Sequence, residues 1–206
     1  KRMSEKQGLL FIVSGPSGCG KDTVLQRLME RHEDVRVSVS ATTRAPREGE
    51  VDGQDYVFLT KQTFLGMVEK GEILEYAEYN GCYYGSIRKN VDALRAQGKN
   101  VVLKIEVQGA AQIRARGEFV TSVFILPPSM QELERRLRKR GTDEEEAIHN
   151  RLTIASREVK GAIDYDYLVV NDDVDAAAED IARIICAQQF HRENMKRKIK
   201  EVLSKC

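Results

Sequence analysis

The sequence predicts an α/β fold in which helices cover a parallel sheet. Short apolar runs, each typical of a strand buried on both faces, alternate with longer segments whose apolar residues recur at helical spacing. The runs are LLFIV (9–13), VVLKI (101–105), SVFIL (122–126) and YLVV (167–170). Because a helical segment separates successive runs, we expect these strands to lie parallel in one sheet.

Helices are predicted between the strands and after the last of them. One follows the first strand, and the later ones lie near residues 129–140, 143–160 and 174–203. Two of these starts carry capping boxes, Ser129 with Glu132 and Thr142 with Glu145.

Between about residues 35 and 95 the pattern changes. Alternating, strand-like runs surround a short predicted helix near residues 60–70. The pair Asn80 and Gly81 separates two of these runs, which is a hairpin signal. The stretch therefore predicts a small, mixed, partly antiparallel subdomain inserted in the α/β core.

The segment GPSGCGKDT (15–23) lies between the first strand and its helix. Gly15, Gly20 and Lys21 match the phosphate loop G-x-x-x-x-G-K. Its glycines let backbone N–H groups converge on phosphate oxygens, the helix adds its positive N-terminal end, and the lysine reaches the outer phosphates. A glycine-rich turn is the alternative, but the strand–loop–helix context favours a nucleotide site.

A second motif, SVSATTRAPREGEVDGQDY (38–56), carries Arg44 and Arg47 on a glycine-containing segment. Two guanidinium forks suit a phosphomonoester. With this motif, the phosphate loop and LEYAEY, IEVQG, RGT and VVND in the same order, nearly the whole chain resembles the guanylate kinase family.

The resemblance implies a P-loop NTPase-type core with an inserted mixed α/β GMP-binding subdomain and a helical lid. The expected boundaries are 8–37 for the first part of the core, 38–95 for the insertion and 96–206 for the rest, with the lid at about 138–155. It also implies transfer of the γ-phosphoryl group of ATP to GMP, with Mg²⁺ accompanying ATP.

The resemblance assigns residues to three roles. Catalytic positions would be Lys21, Arg44, Arg140 and Arg151. ATP would contact Gly15, Pro16, Ser17, Gly18, Cys19, Gly20, Lys21, Asp22, Thr23, Arg140 and Asn171. GMP would contact Ser40, Arg44, Arg47, Tyr56, Glu75, Tyr84, Gly85, Ser86 and Glu106.

Glu75 has a chemical reason to read guanine. Guanine presents a ring N–H and an exocyclic NH₂ side by side, and one carboxylate accepts from both. Adenine lacks that ring donor, so a buried Glu75 would reject it. For Asn171, two interpretations stay open: contact with adenine, or capping of the next turn.

Asp22 and Lys104 depart from the family pattern. Many members have Ser or Gly at the position of Asp22 and an acidic residue at the position of Lys104. We rank first an Asp22–Lys104 ion pair beside the Mg²⁺ site. Alternatively Asp22 binds Mg²⁺, with Thr23 giving a hydroxyl, or it caps the helix.

Cys19 raises the side hypothesis of a reactive thiol near a helix N-terminus. The neighbouring arginines 135, 136 and 138 are expected on a solvated or salt-bridged face.

The composition favours small-molecule partners over nucleic acid or a membrane surface. Lys and Arg total 33 against 32 for Asp and Glu, so a net charge of +1 predicts neither nucleic-acid binding nor a polybasic membrane anchor. Four widely spaced cysteines predict neither a zinc site nor a disulfide framework and fit a reducing cytoplasm. We expect a soluble, cytoplasmic protein that binds ATP and GMP, with dGMP as a further acceptor; the oligomeric state stays open.

Two other functions compete with the kinase. One is the non-catalytic guanylate-kinase-like module that binds phosphopeptides, which typically lacks the intact loop seen here. The other is a kinase for a sugar phosphate, against which Ser40 and Glu75 argue because a sugar has no base edge to read.

Overall fold

A computed structural model describes residues 7–79, 81–117, 119–139 and 144–204. Its strands are β1 Leu10–Ser14, β2 Val35–Val37, β3 Ser40–Thr42, β4 Val57–Phe58, β5 Ile73–Tyr79, β6 Cys82–Ile87, β7 Asn100–Lys104, β8 Thr121–Leu126 and β9 Tyr167–Val170. Its helices are α1 Lys21–Arg31, α2 Lys61–Glu69, α3 Arg88–Ala96, α4 Val107–Ala115, α5 Met130–Lys139, α6 Glu145–Lys160, α7 Val174–Gln188 and α8 Arg192–Leu203.

The main sheet is parallel, as predicted, and has the strand order β2-β7-β1-β8-β9. The central strand, β1, pairs with β7 on one side and β8 on the other. Strand order reverses at β1, and ligands of open α/β sheets bind beyond the carboxyl ends of the strands at such a point. The phosphate loop, which begins directly after Ser14, is therefore in the favoured place.

Side chains of β1 alternate between two cores. Phe11 and Val13 pack in a cluster with residues of α1, α5 and α7, and Leu10 and Ile12 pack in a cluster with residues of α3 and α4. Helices thus cover both faces of the sheet, which explains why β1 is apolar throughout.

The insertion has its own mixed sheet, of order β4-β3-β6-β5. Strands β5 and β6 are antiparallel and pair as far as Tyr79 and Cys82, so the hairpin predicted at Asn80 and Gly81 is present, although Asn80 lies outside the described residues. The predicted short helix is α2, and its Phe64 is buried in a small separate core.

Two helix predictions need correction, and two further helices were missed. Residues 174–203 form two helices, not one, because α7 ends at Gln188 and His191 caps α8. The start predicted for α6 is wrong: its N-cap is Glu144, whereas Thr142 lies outside the described residues. Helices α3 and α4 were not predicted. Ser129 does cap α5, accepting from the N–H of Glu132 at 3.0 Å.

Within the described ranges, every helix is too short or too polar to cross a bilayer.

Candidate active site

A cleft of about 260 Å³ lies between the main sheet and the insertion. The phosphate loop and first turn of α1 contribute Ser17, Gly18, Gly20, Lys21, Asp22 and Thr23. The segment ending β7 contributes Lys104, Ile105 and Glu106. The insertion contributes Ser40, Tyr56, Glu75, Ala77, Tyr79, Tyr84 and Gly85. One cavity therefore joins most of the residues predicted for the two nucleotides.

Two glycines of the loop have no room for a side chain. Gly20 has φ +93°, and a Cβ there would lie 2.4 Å from Nδ2 of Asn171. Gly18 has φ +89°, and its Cβ would lie 2.8 Å from Cδ2 of Leu137 in α5. These left-handed conformations and close contacts both require glycine.

Asn171 supports the loop from behind. Its buried side chain donates from Nδ2 to the carbonyl of Cys19 at 2.7 Å. Its Oδ1 is buried without a hydrogen-bond partner among the described residues. Because Oδ1 accepts no hydrogen bond from the described residues, the interpretation that Asn171 caps the next turn is wrong, and the N-cap of α7 is Asp173.

Arg136 also supports the loop, a role that the sequence did not indicate. Its guanidinium donates to the carbonyl of Asn171 at 3.0 Å and of Cys19 at 3.4 Å, and it pairs with Glu132 at 2.8 Å. Arg135 and Arg138 do lie on an exposed, salt-bridged face as predicted. For Arg136 that prediction is incomplete, because one side of the group faces the loop.

Lys21 is folded back onto the loop that precedes it. Its ammonium group donates to the carbonyl of Gly15 and, at 3.2 Å, to the carbonyl of Pro16. These acceptors are neutral, so the charge of Lys21 is held at the loop without being cancelled there.

The predicted ion pair between Asp22 and Lys104 is present. Burial lowers the pKa of Lys104, but attraction to Asp22 outweighs it, and the net shift of the pKa is upward. The N-cap of α1 is Gly20, so Asp22 is not the capping residue. The carboxylate of Glu106 also raises the pKa of Lys104, which lines the cleft together with Asp22 of α1 and Tyr56 of the insertion.

Cys19 is fully buried. Burial raises the pKa of its thiol, and the nearby charge of Lys21 only partly opposes this. The side hypothesis of a reactive thiol is therefore wrong, because a buried thiol with a raised pKa carries little thiolate.

Arg44 lies in a cage of aromatic rings and a carboxylate. Its guanidinium makes a two-pronged contact with Glu50, at 2.8 and 2.9 Å, and lies 5.4 Å from the ring centre of Tyr56. The bond from Arg44, and then one from the backbone N–H of Arg47, lower the pKa of Glu50 to about 2. Glu50 was not predicted, although its place three residues after Arg47 in the motif was a usable signal.

Glu75 is the buried carboxylate of the cleft, with 3% of its surface exposed. It accepts a hydrogen bond from the hydroxyl of Ser86 at 2.7 Å. Burial raises its pKa to about 7, although Ser86 opposes the shift. A Cβ on Gly109, at the start of α4, would lie 2.1 Å from Oε2 of Glu75, so this glycine makes room for the carboxylate.

Glu158 on α6 is a carboxylate that the sequence did not single out. Burial raises its pKa to about 7, the charge of Glu106 adds to the rise, and Lys21 opposes it. The three groups therefore share one electrostatic environment.

Some predicted residues lie outside the lining of the cleft. Gly15, Pro16, Cys19, Arg44 and Asn171 are not lining residues, and Ser86 is connected to the cleft through its hydrogen bond to Glu75. Arg47 is exposed on the insertion and Arg151 is half-buried on α6. Arg140 lies outside the described residues.

Known proteins share this sequence and architecture. A sequence model of guanylate kinase matches residues 7–188. A guanylate kinase from Synechocystis is 50% identical over 179 residues, covering 87% of this chain and 94% of the relative. One from Clostridium perfringens is 42% identical over 197 residues, covering 96% of this chain and 91% of the relative.

A solved structure agrees with the fold. The crystal structure of guanylate kinase from Anaplasma phagocytophilum matches with a TM-score of 0.73 at 38% identity, covering 92% of this chain and 90% of that one. Together with the matches in sequence, this shows that the chain belongs to the guanylate kinase family.

Proposed function

We propose that this chain transfers the γ-phosphoryl group of ATP to GMP, giving ADP and GDP. The observation that carries the proposal is one cleft lined both by the phosphate loop and by Glu75, Tyr56 and Tyr84 of the insertion. The Arg44 guanidinium lies 5.4 Å from the ring centre of Tyr56. Membership of the guanylate kinase family supports the same reaction.

The insertion would bind GMP at both ends. Glu75 accepts from the two guanine donors, with Ser40, Ser86 and Glu106 around the base. Arg44, Arg47, Tyr56 and Tyr84 hold the phosphate, for which the guanidinium fork is suited. The same groups would accept dGMP, whose base and phosphate are identical.

The core would bind ATP. Backbone N–H groups of the loop and Lys21 hold the phosphates, and Asn171 contacts adenine. We propose residues 38–95 as the GMP-binding unit and about 138–155 as the lid. The lid brings Arg140 and Arg151 over the phosphates when both substrates are bound.

The residues at the start of α1 fit a Mg²⁺ ion that travels with ATP. Thr23 offers a hydroxyl at the cleft, and Mg²⁺ typically takes few protein ligands together with phosphate oxygens and water. The ion would neutralise charge on the phosphates. Asp22 is already paired with Lys104, so Thr23 is the better protein ligand.

Catalysis would consist of alignment and charge neutralisation. The phosphate oxygen of GMP is already an anion at neutral pH, so no general base is needed. Lys21, Arg44, Arg140 and Arg151 surround the group in transfer. Closure of the lid keeps water from competing as acceptor.

The test is ADP formation with Mg·ATP and GMP, AMP, UMP, a sugar phosphate or buffer alone. We expect turnover with GMP and less than about one hundredth of that rate with the others. A folded protein without turnover on any acceptor, but with affinity for phosphopeptides, would contradict the proposal and favour the binding module. Turnover with a sugar phosphate alone would favour the other kinase.

The Asp22–Lys104 pair gives a prediction about ATP. Lys104→Ala removes the positive charge of the Asp22–Lys104 pair from beside the phosphates, and we expect the KM for ATP to rise about tenfold. Restoring charge balance with Asp22→Ala in the same chain should return the KM to within about threefold of the starting value.

The four proteins of this cycle also test the rival role of Asp22. If Asp22 bound Mg²⁺, Asp22→Ala alone would weaken Mg·ATP binding, and the double variant would be no better than Lys104→Ala. Thermal unfolding should differ little among them, since 78% of the Asp22 side chain is exposed.

A further inference from the structure

The side chain of Gln112, on helix α4, makes two hydrogen bonds to the backbone of one residue of β5. The N–H of Tyr76 donates to Oε1 of Gln112 at 3.1 Å, and Nε2 of Gln112 donates to the carbonyl of Tyr76 at 2.6 Å. Helix α4 packs on the main sheet, whereas β5 belongs to the sheet of the insertion. The amide therefore connects the two parts of the molecule.

The amide of Gln112 takes the place that a neighbouring strand would have on the outer side of β5. Strand β5 is at the edge of its sheet, and Tyr76 pairs with Gly85 on its inner side. An edge strand leaves backbone N–H and C=O groups without a ladder partner. The primary amide of Gln112 accepts from the N–H of Tyr76 and donates to its carbonyl, so both backbone groups of Tyr76 are held by one side chain.

Tyr76 directly follows Glu75, and the register of β5 against β6 shifts between Ile73 and Tyr76. At such an irregularity the regular ladder alone does not fix the backbone. The two hydrogen bonds from Gln112 therefore hold the backbone of β5 next to Glu75, where its conformation determines the direction of the Glu75 side chain.

Helix α4 also shapes the space around the carboxylate. Gly109 lies three residues before Gln112, one turn earlier on the same helix, and its missing side chain leaves room for Oε2 of Glu75. The same short helix thus sets both the backbone beside Glu75 and the space that its carboxylate occupies.

We propose that Gln112 is a positioning residue for guanine recognition, holding β5 so that the Glu75 carboxylate faces both donors of the base. The inference rests on the proposed function, in which Glu75 reads the guanine of GMP. Gln112 does not line the cleft, and it acts through Tyr76 and Glu75.

The fold does not depend on this amide. Leu74 of β5 packs in the same buried cluster as Ala110 and Ile113 of α4, so apolar contacts hold the strand near the helix without Gln112. Loss of the amide should therefore loosen the alignment of Glu75 without separating the two elements.

The test compares Gln112→Ala and Gln112→Met with the unchanged protein, using GMP and IMP as acceptors. IMP keeps the ring N–H and lacks the exocyclic NH₂, so the preference for GMP over IMP reports how well Glu75 meets both donors. We expect the KM for GMP to rise about tenfold and the preference to fall about tenfold in both variants. The kcat and the KM for ATP should stay within about twofold.

The methionine variant separates the hydrogen bonds from packing, because it keeps a side chain of similar length without the amide. Gln62→Ala, at an exposed position of α2, is the matched control and should behave as the unchanged protein. A folded Gln112→Met protein with an unchanged preference for GMP over IMP would overturn the inference. A rise of similar size in the KM for GMP and the KM for ATP would overturn it too. Lack of GMP phosphorylation by the unchanged protein would instead refute the proposed function, and the inference with it.

Discussion

Replacing Lys21 with methionine is expected to lower the kcat for GMP phosphorylation by about 10³-fold. The transition state spreads negative charge over the oxygens of the migrating group, and each fixed positive group there contributes about 10²–10³ in rate. Lys21 lines the cleft at the start of α1, where its ammonium also adds to the positive end of the helix.

The contacts of Lys21 explain why this lysine is available to phosphate. Within the part of the chain that the structure describes, its ammonium donates to two backbone carbonyls, those of Gly15 and Pro16. Phosphate oxygens carry charge and are stronger acceptors than these carbonyls. ATP can therefore draw the ammonium outward by exchanging neutral contacts for charged ones.

Steady-state kinetics with saturating Mg·ATP would measure the effect, with Lys70→Met as the control at an exposed position. Methionine keeps most of the apolar stem, so the midpoint of thermal unfolding should move by only a few degrees. Binding of GMP in the absence of ATP should be unchanged. A kcat lowered less than about tenfold would show that Lys21 does not contact the group in transfer.

The parts of the fold that were predicted are those with a strong local pattern. Strands such as β1 and β7 are buried on both faces and read as apolar runs. Helix α4 is short and rich in alanine, with Gly109 in its first turn, so it lacks the large apolar residues at i, i+3 and i+4 that indicate a helix. The break between α7 and α8 is likewise unmarked, because it contains neither proline nor glycine.

The residues of the site also divide into those that a local pattern predicts and those that it does not. The phosphate loop is contiguous in sequence. The opposite charges of Asp22 and Lys104 indicated their pairing, because Lys104 ends strand β7 and Asp22 opens the helix after the loop that follows the neighbouring strand β1. Arg136 and Gln112 could not be predicted from local pattern. Their partners lie 117 and 36 residues away, at Cys19 and Tyr76, and helical periodicity does not say which polar side chain meets a distant backbone.

Glu75→Gln is expected to lower kcat/KM for GMP by about 10²-fold at pH 8. A glutamine offers one acceptor and turns an N–H donor toward the guanine, which leaves buried donors unpaired. The KM for ATP should not change, since Glu75 lies on the insertion. An unchanged kcat/KM for GMP would remove Glu75 from base recognition.

The pKa of Glu75, about 7, adds a dependence on pH. Only the ionised carboxylate accepts from both guanine donors, so the affinity for GMP should rise about tenfold between pH 6 and pH 8. The phosphate of GMP, with a pKa of about 6, adds about twofold over that range. Glu75→Gln should keep only this twofold part.

Stability without substrate should follow the opposite trend. The pKa of Glu75 in the folded protein lies above its unfolded value, so its favourable contribution is complete below about pH 4.5 and is lost as the pH rises through 7. The loss amounts to about 3 kcal/mol by pH 8. Urea unfolding of the ligand-free protein and of Glu75→Gln at pH 5 and pH 8 would isolate this contribution as the difference between the two proteins.

These two trends share one cause, the burial of an ionisable group in the cleft. GMP binding must therefore lower the pKa of Glu75, and at pH 7 it should release about half a proton from this carboxyl. Calorimetric titration of GMP in buffers of different ionisation enthalpy would measure the release. Proton uptake, or the same release from Glu75→Gln, would contradict the assignment of guanine to this carboxylate.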